Sequence, residues 1–409
     1  MSGRSCNSRA GTILLVLPVG VARGDGGLMF EPQACNGLRL WSENFERVTV
    51  ACPVLNAKPA GYLPVSDIPG VERITFVPLP YAYRLDHFAT KLPSVVRSLR
   101  QHIAGSRYLS FAVGGMFGDW ASVAAIVARR MGRKYSVWTD RVESAVAWSD
   151  ATNVTGLRGM YRRTVAHLMK PYERYIIRQA EVGLFHGRDC FEAYSAISRN
   201  PYCVHDIHLS AENQIGSSDL VLKAACALND GPLRIAYVGR AVSMKGPMDW
   251  LTVLSILRER GIPFEATWAG DGELLPEMRR RIDEQRLFFV QLAGNLDRPE
   301  VLRLLGSANL FMFCHKTPES PRCLIEALMR GCPIVGYRSS YPEDLTAKNG
   351  GGIFVGRDDV QGLANAVAEL HGNRARLAEL TRYAAESGKL YSDDAVFRHR
   401  SELIKRHLS

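Results

Sequence analysis

A chain of 409 residues that is 46% hydrophobic and 22% charged is neither disordered nor fibrous, and it exceeds the size of one ordinary core, so two domains are expected. Nine cysteines, with no C-x-x-C pair among them, argue against a disulfide framework and point to a reducing, cytoplasmic setting. The formal net charge of +10 is uneven: residues 1–215 carry 25 Lys and Arg against 17 Asp and Glu, and residues 216–409 carry 26 against 24. An anionic partner such as a membrane surface, nucleic acid or a phosphorylated substrate would account for the excess, and so would a solvated basic surface.

Apolar runs at 12–21, 47–52, 74–78, 108–113, 135–138 and 182–185 read as strands. Helical periodicity at 92–103 and 120–131 falls between them, the alternation of a doubly wound parallel sheet. The first run follows a basic leader, but no small-residue cleavage site follows it, so it reads as strand one and not as a signal peptide. No other run approaches the length of a membrane span. Ligand loops in such a sheet sit at the carboxyl ends of strands, which selects 23–28 (RGDGGL), 114–120 (GGMFGDW) and 139–143 (TDRVE).

Residues 156–180 form a basic amphipathic stretch in which Pro171 is expected to interrupt a helix. Arg162, Lys170, Arg174 and Arg178 are placed on one helical face, which suits either an anionic membrane surface or plain solvent. Residues 216–231, rich in turn formers, are expected to link an N-terminal domain, 1–215, to a C-terminal one, 232–385. In the second domain, strands are expected at 233–238, 264–268, 288–292, 310–313, 334–335 and 352–355. Helices are expected at 248–260, 274–285, 300–306 and 361–370. A last amphipathic helix within 386–409 is expected to cross back to the N-terminal domain.

Three segments of the second domain carry chemistry. In YVGRAVSMKG (237–246) a strand ends at Gly239 and a helix begins at Pro247, with Arg240 and Lys245 bracketing the turn. Two cations beside a helix N-terminus make a diphosphate site, since Arg binds two phosphate oxygens at once and Lys acts as a point charge. AGDGE (269–273) adds a second glycine turn, at Gly270, after another strand. In HKTPESPRCLIEALMRGCPIVGY (315–337), Pro321 suits the start of a helix that Gly331 and Pro333 stop. Glu319 lies in the loop above the strand and Glu326 within the helix, so both carboxylates stand at a strand-to-helix crevice. With no D-x-D, H-E-x-x-H or Walker lysine loop, neither a metal nor a resident cofactor is expected. Arg240 and Lys245 then remain to neutralise a leaving phosphate.

These motifs, together with LAG at 292–294, run in order and at familiar spacing over about residues 233–370. They resemble the C-terminal half of the GT-B glycosyltransferases, family 4 in particular. The resemblance implies an α/β GT-B fold, two Rossmann-like doubly wound domains facing each other across a cleft. It implies a nucleotide-diphosphate-sugar donor, held by the C-terminal domain, and metal-independent transfer with retention to a glycan or lipid-linked acceptor. It implies no nucleic-acid partner, and a cytoplasmic enzyme, peripheral at the inner face of the membrane. By the same likeness Gly239, Arg240, Lys245 and Gly270 border the diphosphate, and backbone at Leu292 and Gly294 meets the base. Glu326 contacts the ribose, Glu319 the sugar hydroxyls, and Pro321, Arg322, Cys323 and Leu324 complete the donor pocket. Six residues separate Glu319 from Glu326, one fewer than in the family, so Pro318 falls in the glutamate column when Pro321-Arg322 is aligned.

In the N-terminal half, Gly26-Gly27 matches a glycine loop at which substrate approaches the backbone. Asp140 stands where many family members have a histidine, and Asp119 is a second cleft candidate; either also suits a helix cap. Rival readings are a nucleotide-sugar 2-epimerase of similar architecture and a catalytically inactive binding protein with the same fold. A NAD-dependent dehydrogenase is disfavoured, because no G-x-G-x-x-G follows strand one.

Overall fold

The structure, a computed structural model, describes residues 11–24, 27–57, 59–152, 156–205, 207–317 and 320–409. The chain divides into two compact units, Met1–His208 with Asp393–Ser409, and Leu209–Ser392.

The first unit begins with β1 (Thr12–Val16), β2 (Ala22–Gly24), β3 (Gly27–Phe30), α1 (Pro32–Asn44), β4 (Arg47–Val54), β5 (Leu63–Pro64) and β6 (Ile74–Pro80). It continues through α2 (Leu85–Gly105), β7 (Tyr108–Ala112), α3 (Trp120–Arg130), β8 (Ser136–Thr139), α4 (Glu143–Thr152) and α5 (Gly156–Gln179). β9 (Val182–His186), α6 (Gly187–Tyr194) and β10 (Pro201–Val204) follow. Seven of these strands form a parallel sheet in the order β10-β9-β8-β7-β1-β4-β6. Both faces are covered, so its central strands read as unbroken apolar runs: TILLV of β1 is buried throughout.

The expected first strand, 12–21, stops at Val16 instead. Pro18 cannot donate to the ladder, and the chain turns into a small antiparallel sheet, β2-β3-β5. The expected break at Pro171 is also absent. α5 runs through it as one helix, because the ring lies on the exposed side, where the carbonyl that loses its donor meets water.

The second unit holds α7 (Ser217–Ala227), β11 (Leu233–Val238), α8 (Pro247–Glu259), β12 (Phe264–Ala269), α9 (Leu275–Glu284), β13 (Val290–Gly294), α10 (Arg298–Ser307) and β14 (Leu310–Phe313). Then come α11 (Arg322–Met329), β15 (Ile334–Tyr337), α12 (Ser340–Thr346), β16 (Gly352–Val355), α13 (Val360–Gly372) and α14 (Arg374–Lys389). Its parallel sheet runs β13-β12-β11-β14-β15-β16, the doubly wound order whose crevice opens between β11 and β14. An aromatic cluster fixes the strands beneath that crevice. The Tyr237 and Trp268 rings lie 3.9 Å apart, Trp250 meets Trp268 edge-on at 5.4 Å, and the Trp250 indole donates to the Met312 carbonyl at 3.1 Å.

The segment expected to be a linker is largely the helix α7. Its Lys223 ammonium is buried and donates to the carbonyls of Leu305 and Arg330 at 2.8 and 2.9 Å. Burial lowers its pKa to about 8. The unit boundary therefore lies at His208–Leu209, ahead of 216–231, and the chain returns to the first unit as α15 (Asp393–Leu408).

Candidate active site

The three motif loops of the second unit are stitched together by main-chain bonds. Gly239 N–H donates to Ala269 O at 2.8 Å, Ala241 N–H to Asp271 O at 2.9 Å, and Leu274 N–H to Ala241 O at 2.9 Å. Gly270 N–H donates to Gly294 O at 2.7 Å, and Lys316 N–H to Met244 O at 2.8 Å. This lattice sets Gly239, Gly270 and Gly294 side by side above the ends of β11, β12 and β13. Only glycine fits at Gly270, where φ is +135° and a Cβ would stand 2.1 Å from the Gly239 carbonyl oxygen.

Arg240 is exposed and Lys245 half-buried, at the two ends of the turn between β11 and α8. The field of Lys245 reaches His315, which is 7% exposed and shares a 3.0 Å hydrogen bond with the Tyr237 hydroxyl. Burial first, then Lys245, lowers its pKa to about 3, so its ring is neutral near pH 7.

Two helices begin at the switch point, and their N-termini differ. α8 has Asp249 in its first turn. That carboxylate accepts from the Tyr337 hydroxyl at 2.6 Å and pairs with Lys316, which also pairs with Asp358 at 2.6 Å. The positive end of α8, expected to face a diphosphate, thus already has a carboxylate beside it. α11 has no acid in its first turn, and its N-cap residue makes no side-chain cap hydrogen bond, so no carboxylate of its own first turn offsets its positive end. Pro321 is its N-cap residue, Arg322 is exposed and Cys323 half-buried. Leu324 is fully buried, so only its backbone can reach a ligand.

Glu326 projects from the same helix with its side chain 12% exposed, 3.4 Å from the Arg298 guanidinium. Burial raises its pKa, and Arg298 and Arg322 oppose that rise. Arg298 was missed in the sequence, although Asp297 and Glu300 form a capping box that fixes it at the start of α10. Leu292 and Gly294 lie on β13. Glu319 and Gly26 lie outside the described residues.

In the first unit, a cavity of about 400 Å³ opens at the carboxyl ends of β1, β7 and β8. The aromatic residues Trp41, Tyr83, Trp138 and Phe397 line it with Asp140 and Glu143. The indole N–H of Trp138 is buried there without a partner among the described residues. Asp140 is exposed on this rim.

Asp119, offered as a cleft carboxylate, is buried and caps α3. It accepts from Ala121 N–H at 3.0 Å, from the Gly114 and Gly115 amides at 3.2 Å each, and from the Ser122 hydroxyl at 2.5 Å. Its task is to hold the Gly114–Gly115 turn closed. Asp119 nonetheless lines the cavity, and burial raises its pKa; Glu143, which the sequence placed within a ligand loop without singling it out, is a second such carboxylate on the cavity wall. Burial raises the Glu143 pKa too, against the 2.7 Å hydrogen bond from Arg141. Gly27 sits in the β2–β3 hairpin with φ +126° and is not among the cavity's lining residues.

Comparisons with known proteins fit this geometry. Residues 221–387 match the family described as Glycosyl transferases group 1. The amylovoran biosynthesis glycosyltransferase AmsK of Erwinia amylovora is 28% identical over 193 residues, 45% of this chain; the match spans about half of that protein, 47%. Among solved structures, Anabaena Alr3699/HepE, crystallised with UDP, aligns over 97% of this chain and 100% of its own at a TM-score of 0.63 and 14% identity. A glycosyltransferase from Rickettsia africae ESF-5 aligns over 98% and 99% at 0.61 and 13% identity. The chain thus has the GT-B glycosyltransferase fold, and its residues 221–387 are similar to the glycosyl transferases group 1 family.

Proposed function

We propose that the protein transfers a sugar from a nucleotide-diphosphate donor to a glycan or lipid-linked acceptor, with retention and without a metal. The observation that carries this reading is the grouping, at the β11/β14 switch point, of Arg240, Lys245 and an α11 N-terminus without an acid or side-chain cap. Two cations and a row of amides are the groups that stabilise the charge developing on a departing nucleoside diphosphate. Glu326 takes the ribose hydroxyls, and backbone at Leu292 and Gly294 meets the base. Glu319 takes the donor sugar's hydroxyls. The aromatic cavity of the first unit takes the acceptor: ring faces suit the C–H faces of a sugar, and Asp140 and Glu143 suit its hydroxyls. Since HepE was crystallised with UDP, uridine nucleotides are the first donors to try.

Thermal-shift titration with UDP, GDP and ADP, followed by turnover of the matching nucleotide sugars, tests the reading; stabilisation by none of them would overturn it. Turnover is expected to persist in excess chelator, because the two cations supply the charge that a metal would. Activity lost in EDTA and regained with magnesium or manganese would remove metal independence. Glu326→Gln is expected to weaken binding of free nucleoside diphosphate about tenfold or more, the worth of a hydrogen bond to a charged group. Calorimetry giving wild-type affinity for that variant would take Glu326 out of the site.

A further inference from the structure

Arg298 stands where helix electrostatics disfavour a cation. It is the first residue of α10, and the aligned peptide dipoles leave partial positive charge at a helix N-terminus. The backbone around it is firmly set. Asp297 accepts from Glu300 N–H at 2.8 Å, Glu300 accepts from Asp297 N–H at 2.8 Å, and Pro299 fixes φ at the next position. A cation built into that place calls for a partner on another element.

Glu326, within α11, is that partner. The Arg298 guanidinium donates to its Oε1 at 3.4 Å, and the two side chains are 44% and 12% exposed. Among the described residues nothing donates to Oε2. Arg322, one turn ahead on the same helix, lowers the Glu326 pKa without forming an ion pair with it. α14 and β15 also pack on α11, and among the described residues neither brings a charged group to this carboxylate. Three residues, 295–297, lead from the end of β13 to Arg298, so the pair bridges the loop after β13 and α11.

We propose that Arg298 is a positioning residue for nucleotide binding: it holds one oxygen of Glu326 and leaves the other for a ribose hydroxyl. The proposal rests on the reading of Glu326 as the ribose carboxylate. A pair exposed on both sides would contribute little, but here the anion is mostly buried. Burial disfavours its ionised form, and a guanidinium at hydrogen-bond distance favours it. An ionised carboxylate accepts on both oxygens and accepts more strongly than a protonated one, in which one oxygen carries the proton. Arg298 therefore acts twice on the same group, through its direction and through its charge. Direct contact between Arg298 and the nucleotide is the alternative, and the two differ in what removing the Glu326 carboxylate does.

Calorimetry on the full chain, with UDP, GDP and ADP as probes, tests it. For the nucleotide that binds the wild type most tightly, R298Q is expected to weaken affinity about five- to tenfold, and R298K to recover part of the loss. In the E326Q background the same R298Q change is expected to cost less than about twofold, since its target is gone. Wild-type affinity in R298Q would overturn the proposal, and so would an equal loss with and without the Glu326 carboxylate. A second measurement needs no nucleotide. Carboxyl-carbon NMR of the apo chain, with the Glu326 signal assigned by its absence in E326Q, follows the titration of that group. R298Q is expected to move its midpoint to higher pH, because one of the two cations opposing burial is lost. Circular dichroism checks that the variants fold. Binding of none of the three nucleotides to the wild type would overturn the donor reading and this proposal with it. An unmoved midpoint beside intact nucleotide binding would overturn the proposal alone.

Discussion

Arg240→Ala and Lys245→Ala are each expected to lower kcat/KM for transfer from the nucleotide sugar about 30- to 100-fold. The argument runs from charge. Each side chain ends in a cation at the turn between β11 and α8, and a charge-assisted contact to phosphate is worth on the order of 2–3 kcal/mol. The loss should appear mainly in kcat, because the diphosphate gains charge as the sugar departs, and a contact that strengthens in the transition state acts on turnover. The Lys245 variant also removes the positive field beside His315, the second cause of that ring's low pKa after burial. Its basicity should therefore rise, which NMR titration of the His315 ring would report in the apo protein. Unchanged turnover in either variant would take that cation out of the reaction.

The alternation of the two units was legible because parallel strands buried on both faces are unbroken apolar runs, and LFMF of β14 and TILLV of β1 are of that kind. Glycine turns were legible for a related reason: Gly239 and Gly270 can be nothing else where two loops share main-chain bonds. The α7 segment misled, because Gly-Ser-Ser reads as a loop, whereas Gly216 precedes a helix whose first residue is Ser217. α12 and α14 were missed for want of a clean stripe. α12 is two turns at most, and α14 buries Thr381, Ser387 and Gly388 along with its apolar residues.

Roles of carboxylates were the least legible part. Asp119 and Glu143 both belong to loops at strand ends, and nothing in their spacing separates a cap from a residue on a cavity wall. The difference lies in partners from other positions. Both line the cavity, but two glycine amides and Ser122 turn toward Asp119, whereas Glu143 has the hydrogen bond from Arg141. The carboxylate at the N-terminus of α8 was hidden in the same way, since Lys316 and Tyr337 reach Asp249, and Asp358 reaches Lys316, only through the fold. Sequence spacing finds the loops of such a site, and tertiary hydrogen bonds decide which of their side chains remain available.

Gly246→Ala is expected to be, with a methyl at Gly270, among the most destabilising single additions to the donor loops. Gly246 has φ +64°, and a Cβ there would lie 2.1 Å from the Cys314 carbonyl oxygen. The left-handed backbone alone costs an alanine about 1–2 kcal/mol. Overlap with a main-chain oxygen adds about 1–3 kcal/mol or more, because a carbonyl within a parallel sheet and its loop cannot swing aside as a side chain would. The sum is a large share of the roughly 5–15 kcal/mol that holds a domain folded. Gly261→Ala separates the two costs, since Gly261 has φ +70° and nothing within 4 Å of its Cβ position. That variant should lose only the backbone contribution, a small fall in the midpoint of thermal unfolding. Gly246→Ala should fall several times further, and where it remains folded it should still lose turnover, because Lys245 and the start of α8 shift with the displaced turn. Equal midpoints for the two variants would mean that the β14 loop yields to the methyl, and that the packing of Gly246 on Cys314 does not hold Lys245 in place.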